Sequence, residues 1–224
     1  MEDYWHGRWD AALESADQFI AESEAGSSDY VGAGSHLVRG WMRLARGDLR
    51  GALQDADAGL ESARASREPQ VLYPMLAFHA RALLAAGREH EANMEASELL
   101  AMLAHQGALP SAPDWSGDLA DVLQALGRGT ELLELLADAK TPTPWLEAAA
   151  AVAAGEFQRA ADLYDQIESQ PDAALARLQA AKQLVAAGRQ AEANEQLSRA
   201  LGFYRQVGAT AYIGQADALA AASA

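Results

Sequence analysis

Apolar residues along this chain recur at helical spacing, in segments of roughly ten to seventeen residues broken by glycine. Between 37 and 44, Leu37, Gly40, Trp41 and Leu44 stand at i, i+3, i+4 and i+7, one face of a helix. Near the start, Trp5, Trp9, Leu13, Ala16 and Ile20 form a second such stripe. Long Val/Ile/Thr runs with period-two alternation are missing, which argues against a sheet. The pattern predicts helices over 8–22, 30–46, 49–66, 70–86, 89–106, 114–126 and 130–139, then two further pairs and a closing helix over 210–222. Pro74 predicts a late start or a kink in the fourth of these. Residues 107–113 read as a loop, Ser111 with Asp114 as a capping box, and Thr143 as an N-cap ahead of Pro144 at the first helical position.

The helices are organised by an internal repeat. A glycine followed by a short polar stretch recurs at Gly7, Gly47, Gly87, Gly127, Gly155 and Gly188, with spacings of 40, 40, 40, 28 and 33 residues. Five residues after each stands Ala12, Ala52, Ala92, Leu132, Ala160 or Ala193, and nine after it Ala16, Ala56, Ala96, Leu136, Tyr164 or Leu197. Seven residues before the last five glycines the residue is small: Gly40, Ala80, Ala120, Ala148 and Ala181. A small residue there lets two antiparallel helices approach, and the glycine ends the first of them. Offsets of five and nine share one face of the second helix. Each unit therefore reads as helix A, glycine turn, helix B.

In these residues the chain resembles tetratricopeptide repeats, whose pattern has a small residue in helix A, a glycine turn and A-x3-F on helix B, in units of about 34 residues. Ala148…Gly155…Ala160-x3-Tyr164 and Ala181…Gly188…Ala193-x3-Leu197 match it well, and the resemblance covers nearly the whole chain. The first three units are longer, and the Trp and Leu expected early in helix A are replaced at places such as His36, Arg39 and His79. The longer units resemble divergent repeats in the sensor regions of large bacterial signalling ATPases. The stretch 200–213 is similar to the C-terminal end of actinobacterial multidomain regulators, in which such repeats follow an ATPase module and sometimes a cyclase or DNA-binding module. The resemblance implies an all-α, antiparallel helix-pair solenoid coiled into a right-handed superhelix of about 12–13 helices. It forms one domain over 1–224, with a change of geometry near 107–143. Only six residues precede Gly7, so the first unit lacks nearly all of its helix A.

Composition narrows the function. A net charge of −15 opposes a nucleic-acid surface and docking on anionic lipid. With no cysteine, disulfides, thiol catalysis and cysteine-ligated zinc are excluded. The acidic start and the lack of a long apolar run predict neither a signal peptide nor a membrane span, and a cytoplasmic location. Motif tests for chemistry fail. His90-Glu91 lacks the second histidine of a metalloprotease. Asp55-Ala56-Asp57-Ala58-Gly59 lacks the rest of a calcium loop and reads as solvated acids on a helix B. Gly127-Arg128-Gly129-Thr130 lacks the Lys-Ser/Thr ending of a phosphate loop. No cofactor, metal site or catalytic residue is expected.

Two sets of residues remain as candidates. Arg39, Arg43 and Arg46, at i, i+4 and i+7 opposite the Leu37/Trp41/Leu44 face, either clamp a carboxylate or phosphate of a partner or form a solvated face neutralised by acids of adjacent helices. Trp5 and Trp9 either form an uncapped edge that pairs with another copy as a homodimer, or pack on the second unit. The expected function is a non-catalytic protein-interaction scaffold or sensor module, the C-terminal repeat region of a larger bacterial signalling or transcriptional regulator. Its partner would be a protein, a peptide or a neighbouring domain. The alternative is a superhelix that senses a small molecule and controls an attached ATPase.

Overall fold

Six glycines, Gly7, Gly47, Gly87, Gly127, Gly155 and Gly188, take left-handed backbone with φ between 71° and 86°. Each closes the same hydrogen-bonded corner: at Gly47, its N–H donates to the carbonyl of Leu44 and that of Asp48 to the carbonyl of Arg43, at 3.1 and 2.9 Å. This pair of hydrogen bonds satisfies the last carbonyls of one helix and turns the chain into the next. The structure, a computed structural model, describes residues 1–25, 31–105, 115–137 and 143–222. Within them lie thirteen α-helices and no strand. They are α1 Glu2–Trp5, α2 Trp9–Glu24, α3 Val31–Arg46, α4 Leu49–Ser66, α5 Pro69–Ala85, α6 Glu89–His105, α7 Ser116–Ala125, α8 Gly129–Ala137, α9 Pro144–Ala153, α10 Phe157–Gln166, α11 Gln170–Ala186, α12 Gln190–Val207 and α13 Thr210–Ala222.

The helices pack in adjacent pairs, an all-α helical-repeat solenoid. α3 lies on α4, α5 on α6, α9 on α10 and α11 on α12, with each pair also touching the next. The small and apolar repeat positions form the contacts, since Ala52, Ala56, Ala80, Ala92, Ala96, Ala120, Leu132, Ala148, Ala160, Ala181 and Ala193 are all fully buried. At Gly40 the approach is close: a Cβ there would stand 2.4 Å from the Phe78 ring. Thr143 caps α9 through its side chain, which accepts from the N–H of Leu146, and Pro144 follows at the first helical position. The loop over 107–113 and the capping pair Ser111 and Asp114 lie outside the described residues. Pro74 neither delays nor ends its helix. α5 starts at Pro69, a residue suited to the first turn, and runs through Pro74 to Ala85. Only one bond, to the carbonyl of Gln70 a turn from the helix start, is lost at Pro74.

The two ends of the solenoid meet. α3 packs on α5, α5 on α7 and α7 on α9, while α13 packs on both α11 and α3, and α1 touches α11. The seam is polar at its rim and aromatic within. Thr210 Oγ1 donates to the carbonyl of Arg46 at 2.7 Å, and Arg46 Nη2 donates to that of Val207 at 3.2 Å. Trp9 meets the edge of Phe203 at 5.8 Å between ring centroids. The A helices therefore enclose a central space instead of lining an open groove. No described helix is long and apolar enough to cross a membrane.

Candidate functional site

The three arginines are engaged within the chain. Asp55, on α4, is 1% exposed and accepts from His36 Nδ1 at 2.9 Å, from Arg39 Nη2 at 2.6 Å and from Arg43 Nη1 at 2.8 Å. Arg39 reaches on to Asp17 of α2 at 2.8 Å, and Arg46 to Asp10 at 3.3 Å while lying over the Trp9 ring. Burial alone would raise the pKa of Asp55; the hydrogen bonds from His36 and Arg39 outweigh it and hold the carboxyl below its usual range. Asp55, read from sequence as a solvated acid, is instead the buried centre of this cluster. It is buried because α3 presents three cationic or imidazole side chains to the face of α4 that carries it.

Trp5 and Trp9 are turned inward. Trp9 is 3% exposed, stacks on Tyr4 at 5.5 Å and donates its Nε1 hydrogen to the Tyr4 carbonyl. Trp5 is half-buried against Trp145, 5.3 Å between centroids. Their anchor is the single turn of α1, whose Tyr4 also stacks on Trp41 of α3 at 4.9 Å.

The part of unit 1 that stays open lies farther along α2. In unit 2 the stripe Ala52, Asp55, Ala56 and Gly59 of α4 is buried beneath α3 and α5, with Gly59 against Met75 and His36. Forty residues earlier, in the matching stripe of α2, α3 packs alongside and Ala12 and Ala16 are buried, while Ser15 and Phe19 stay exposed. It opens into a cleft of about 520 Å³, walled also by Gly34, Ser35 and Val38 of α3 and by Val71, Pro74 and Met75 of α5. Phe19 and Met1, in this wall, are 45% and 41% exposed, two of the three large apolar side chains standing out among the described residues.

A second, small cavity of about 20 Å³ lies in the central space. Tyr4 and Trp5 of α1, Trp41 of α3, Trp145 of α9 and Tyr164 of α10 surround it, with Gly117 and Asp118 of α7 and Asp172 of α11. Trp41 Nε1 donates to Asp118 at 2.7 Å, Arg81 of α5 pairs with the other oxygen of Asp118, and Arg81 Nη2 donates to the Tyr212 hydroxyl of α13 at 2.8 Å. Asp172 accepts from Ser169 at 2.5 Å. Burial, reinforced by Asp172, pushes the hydroxyls of Tyr4 and Tyr164 well above the usual phenol range, so both stay protonated.

On the other side of Arg81, Asp121 and Tyr212 border a shallower cleft of about 220 Å³. Burial raises the pKa of Asp121 to about 7, against the pull of Arg81 and with the help of Asp118 and Asp172. Lys182, near it, is lowered by burial. None of the charged interior groups was singled out from sequence. The signal was in the repeat register: six residues before successive turn glycines stand Trp41, Arg81, Asp121, Ala149 and Lys182, three of them charged. Among the described residues no three His, Cys, Asp or Glu side chains are grouped to hold a metal ion.

No family model and no curated protein matches the chain. Among solved structures it is similar to the crystal structure of BtubC (BKLC) from P. vanneervenii, at 17% sequence identity and a TM-score of 0.44, over 97% of this chain and 90% of that one.

Proposed function

We propose that this chain is a non-catalytic protein-interaction scaffold that takes one amphipathic helix of a partner protein into the cleft between α2, α3 and α5. The observation that carries this reading is the repeat register. The cleft exposes Ser15 and Phe19 on the face of α2 whose register equivalent in α4 packs beneath α3 and α5, with Ala12 and Ala16 buried at its floor. In unit 2 the equivalent place is held by residues 31–41 of α3, about 16 Å of helix at 1.5 Å per residue. A helix presenting an apolar stripe fills such a slot as helix-in-groove recognition does elsewhere. The net charge of −15, with Asp3 in the cleft wall, favours a partner helix with basic flanks.

The test is fluorescence anisotropy with a blocked peptide carrying residues 31–41 followed by two lysines, with a scrambled peptide of the same composition beside it. Saturable binding with Kd below about 100 μM is expected, weakened at least tenfold by Phe19→Glu or Ser15→Glu, both at exposed positions. Equal binding of the scrambled peptide, or none by either, would sink the proposal. So would a dimer that excludes the peptide and is broken by Phe19→Glu, because a second copy would then be the occupant.

A further inference from the structure

We propose that the central cavity is a binding site for the ammonium group of a small primary amine, held between aromatic rings and the carboxylates of Asp118 and Asp172. The inference does not depend on the helix-binding cleft. It rests on the coincidence of three features at one place: size, wall and charge.

The cavity of about 20 Å³ is of the size that holds one water. An –NH3⁺ group has nearly the same dimensions. A trimethylated ammonium does not fit without displacing the walls.

Five of the eight walling residues are Tyr or Trp, from four different helices, which a well-packed apolar core would have used to close the gap. Aromatic rings attract cations through their quadrupole, more strongly where water is excluded. The Tyr4 and Tyr164 hydroxyls, kept protonated by burial, leave oxygens that can accept a hydrogen bond from an ammonium.

Two carboxylates, Asp118 of α7 and Asp172 of α11, stand in the cavity wall, and Arg81, which pairs with Asp118, lies behind it, outside that wall. A further positive charge placed there offsets the repulsion among the acids, whereas an anion or a neutral polar group does not. The half-buried rings of Trp5 and Trp145 stand in this wall, and the stem of the amine would pass beside them.

Methylammonium chloride is the probe, titrated against the full chain while tryptophan fluorescence is followed, because Trp5, Trp41 and Trp145 all line the site. Thermal unfolding is recorded in parallel. A saturable fluorescence change in the millimolar range and a matching rise in Tm are expected. Sodium chloride and tetramethylammonium chloride at equal ionic strength should produce neither. Asp172→Asn should weaken binding at least tenfold. Gly117→Ala should abolish it by placing a methyl in the cavity; the new Cβ would meet the Tyr164 hydroxyl at 3.4 Å, an ordinary contact, so the fold is retained. Circular dichroism of both variants establishes that they are folded. An equal response to sodium or to tetramethylammonium would overturn the proposal, as would unchanged affinity in a folded Asp172→Asn or Gly117→Ala. No response to methylammonium would mean a water-filled cavity and overturn it equally.

Discussion

Replacing Asp55 with Ala should destabilise the chain by about 3 kcal/mol at pH 7. The carboxylate is 1% exposed and accepts from His36, Arg39 and Arg43, so its loss strands cationic groups at the junction of α2, α3 and α4. Removing one partner of a buried ion pair costs about 3–5 kcal/mol. The lower end applies here for two reasons. The Arg39 and Arg43 side chains keep 15% and 32% exposure to water, and each retains a second acid, Asp17 at 2.8 Å and Asp48 at 3.8 Å. The assay is urea unfolding followed by circular dichroism, with the slope compared between variants so that a shifted midpoint can be read as stability. A second signature comes with pH. The pKa of Asp55 is lowered in the fold, because the hydrogen bonds from His36 and Arg39 outweigh burial. The native chain therefore gives up this proton at lower pH than the unfolded chain does. The contribution is full above the unfolded value of about 3.9 and is lost as pH falls through the native one. The gap between wild type and Asp55→Ala should therefore narrow below about pH 4. A destabilisation under about 1 kcal/mol at pH 7, or a gap that persists unchanged in acid, would refute the view that Asp55 clamps these helices.

Three further substitutions separate the forces at work elsewhere. Gly40→Ala places a Cβ 2.4 Å from the fully buried Phe78 ring and should lower stability by about 1–3 kcal/mol, with partial recovery when Phe78→Leu is added; thermal unfolding reads both. Gly188→Ala meets no atom within 4 Å, so its effect is backbone strain alone at φ 72°, about 1–2 kcal/mol in the same assay; a neutral result would mean that the corner does not need a left-handed residue. Asp121 has its pKa raised to about 7, chiefly by burial, so the native chain keeps a proton that the unfolded chain releases near 3.9. Its contribution thus declines as pH rises from about 4 to about 7 and stays lost above. Asp121→Asn should be more stable than wild type at pH 8 and lose that advantage near pH 4, in urea midpoints measured at both.

The pairing of helices was legible because it rests on local rules. A corner that needs a left-handed residue announces itself as glycine, and a close crossing announces itself as Gly40 or Ala80. The interior was not legible, because it depends on the two ends of the chain meeting. Arg81, Asp118, Asp121 and Asp172, seen one helix at a time, look like ordinary solvated charges; they become interior only once helices distant in sequence, from α1 and α3 to α11 and α13, pack around them. The same blindness explains the polar residues early in helix A. His36 and Arg39 stand where an apolar side chain was expected because Asp55 lies opposite them, and His79 because it meets Asp57 at 3.1 Å and Glu95 at 3.4 Å. Arg39, Arg43 and Arg46 do bind carboxylates bidentately or singly, as guanidinium groups of that spacing can, but the carboxylates belong to α2 and α4.

The cleft and the central cavity share one element, α1. Tyr4 and Trp5 wall the cavity, while Met1 and Asp3, on the same single turn, wall the cleft. A helix of four residues has little stability of its own and is held by the stacking of Tyr4 on Trp9 and Trp41. Filling the cavity with an ammonium group would fix those rings, and with them the end of the slot that a partner helix must abut. Positive coupling follows, and linkage makes it reciprocal: the amine should tighten the peptide by the same factor as the peptide tightens the amine. A factor of about three to ten, or about 0.7–1.4 kcal/mol, is expected for ordering one turn of helix. Tyr4→Leu, which removes the ring that holds α1 on Trp9 and Trp41 and an aromatic wall of the cavity, should abolish the coupling and weaken the peptide in the absence of amine. Two sites that each bind, with affinities indifferent to one another, would show that α1 is already rigid and transmits nothing.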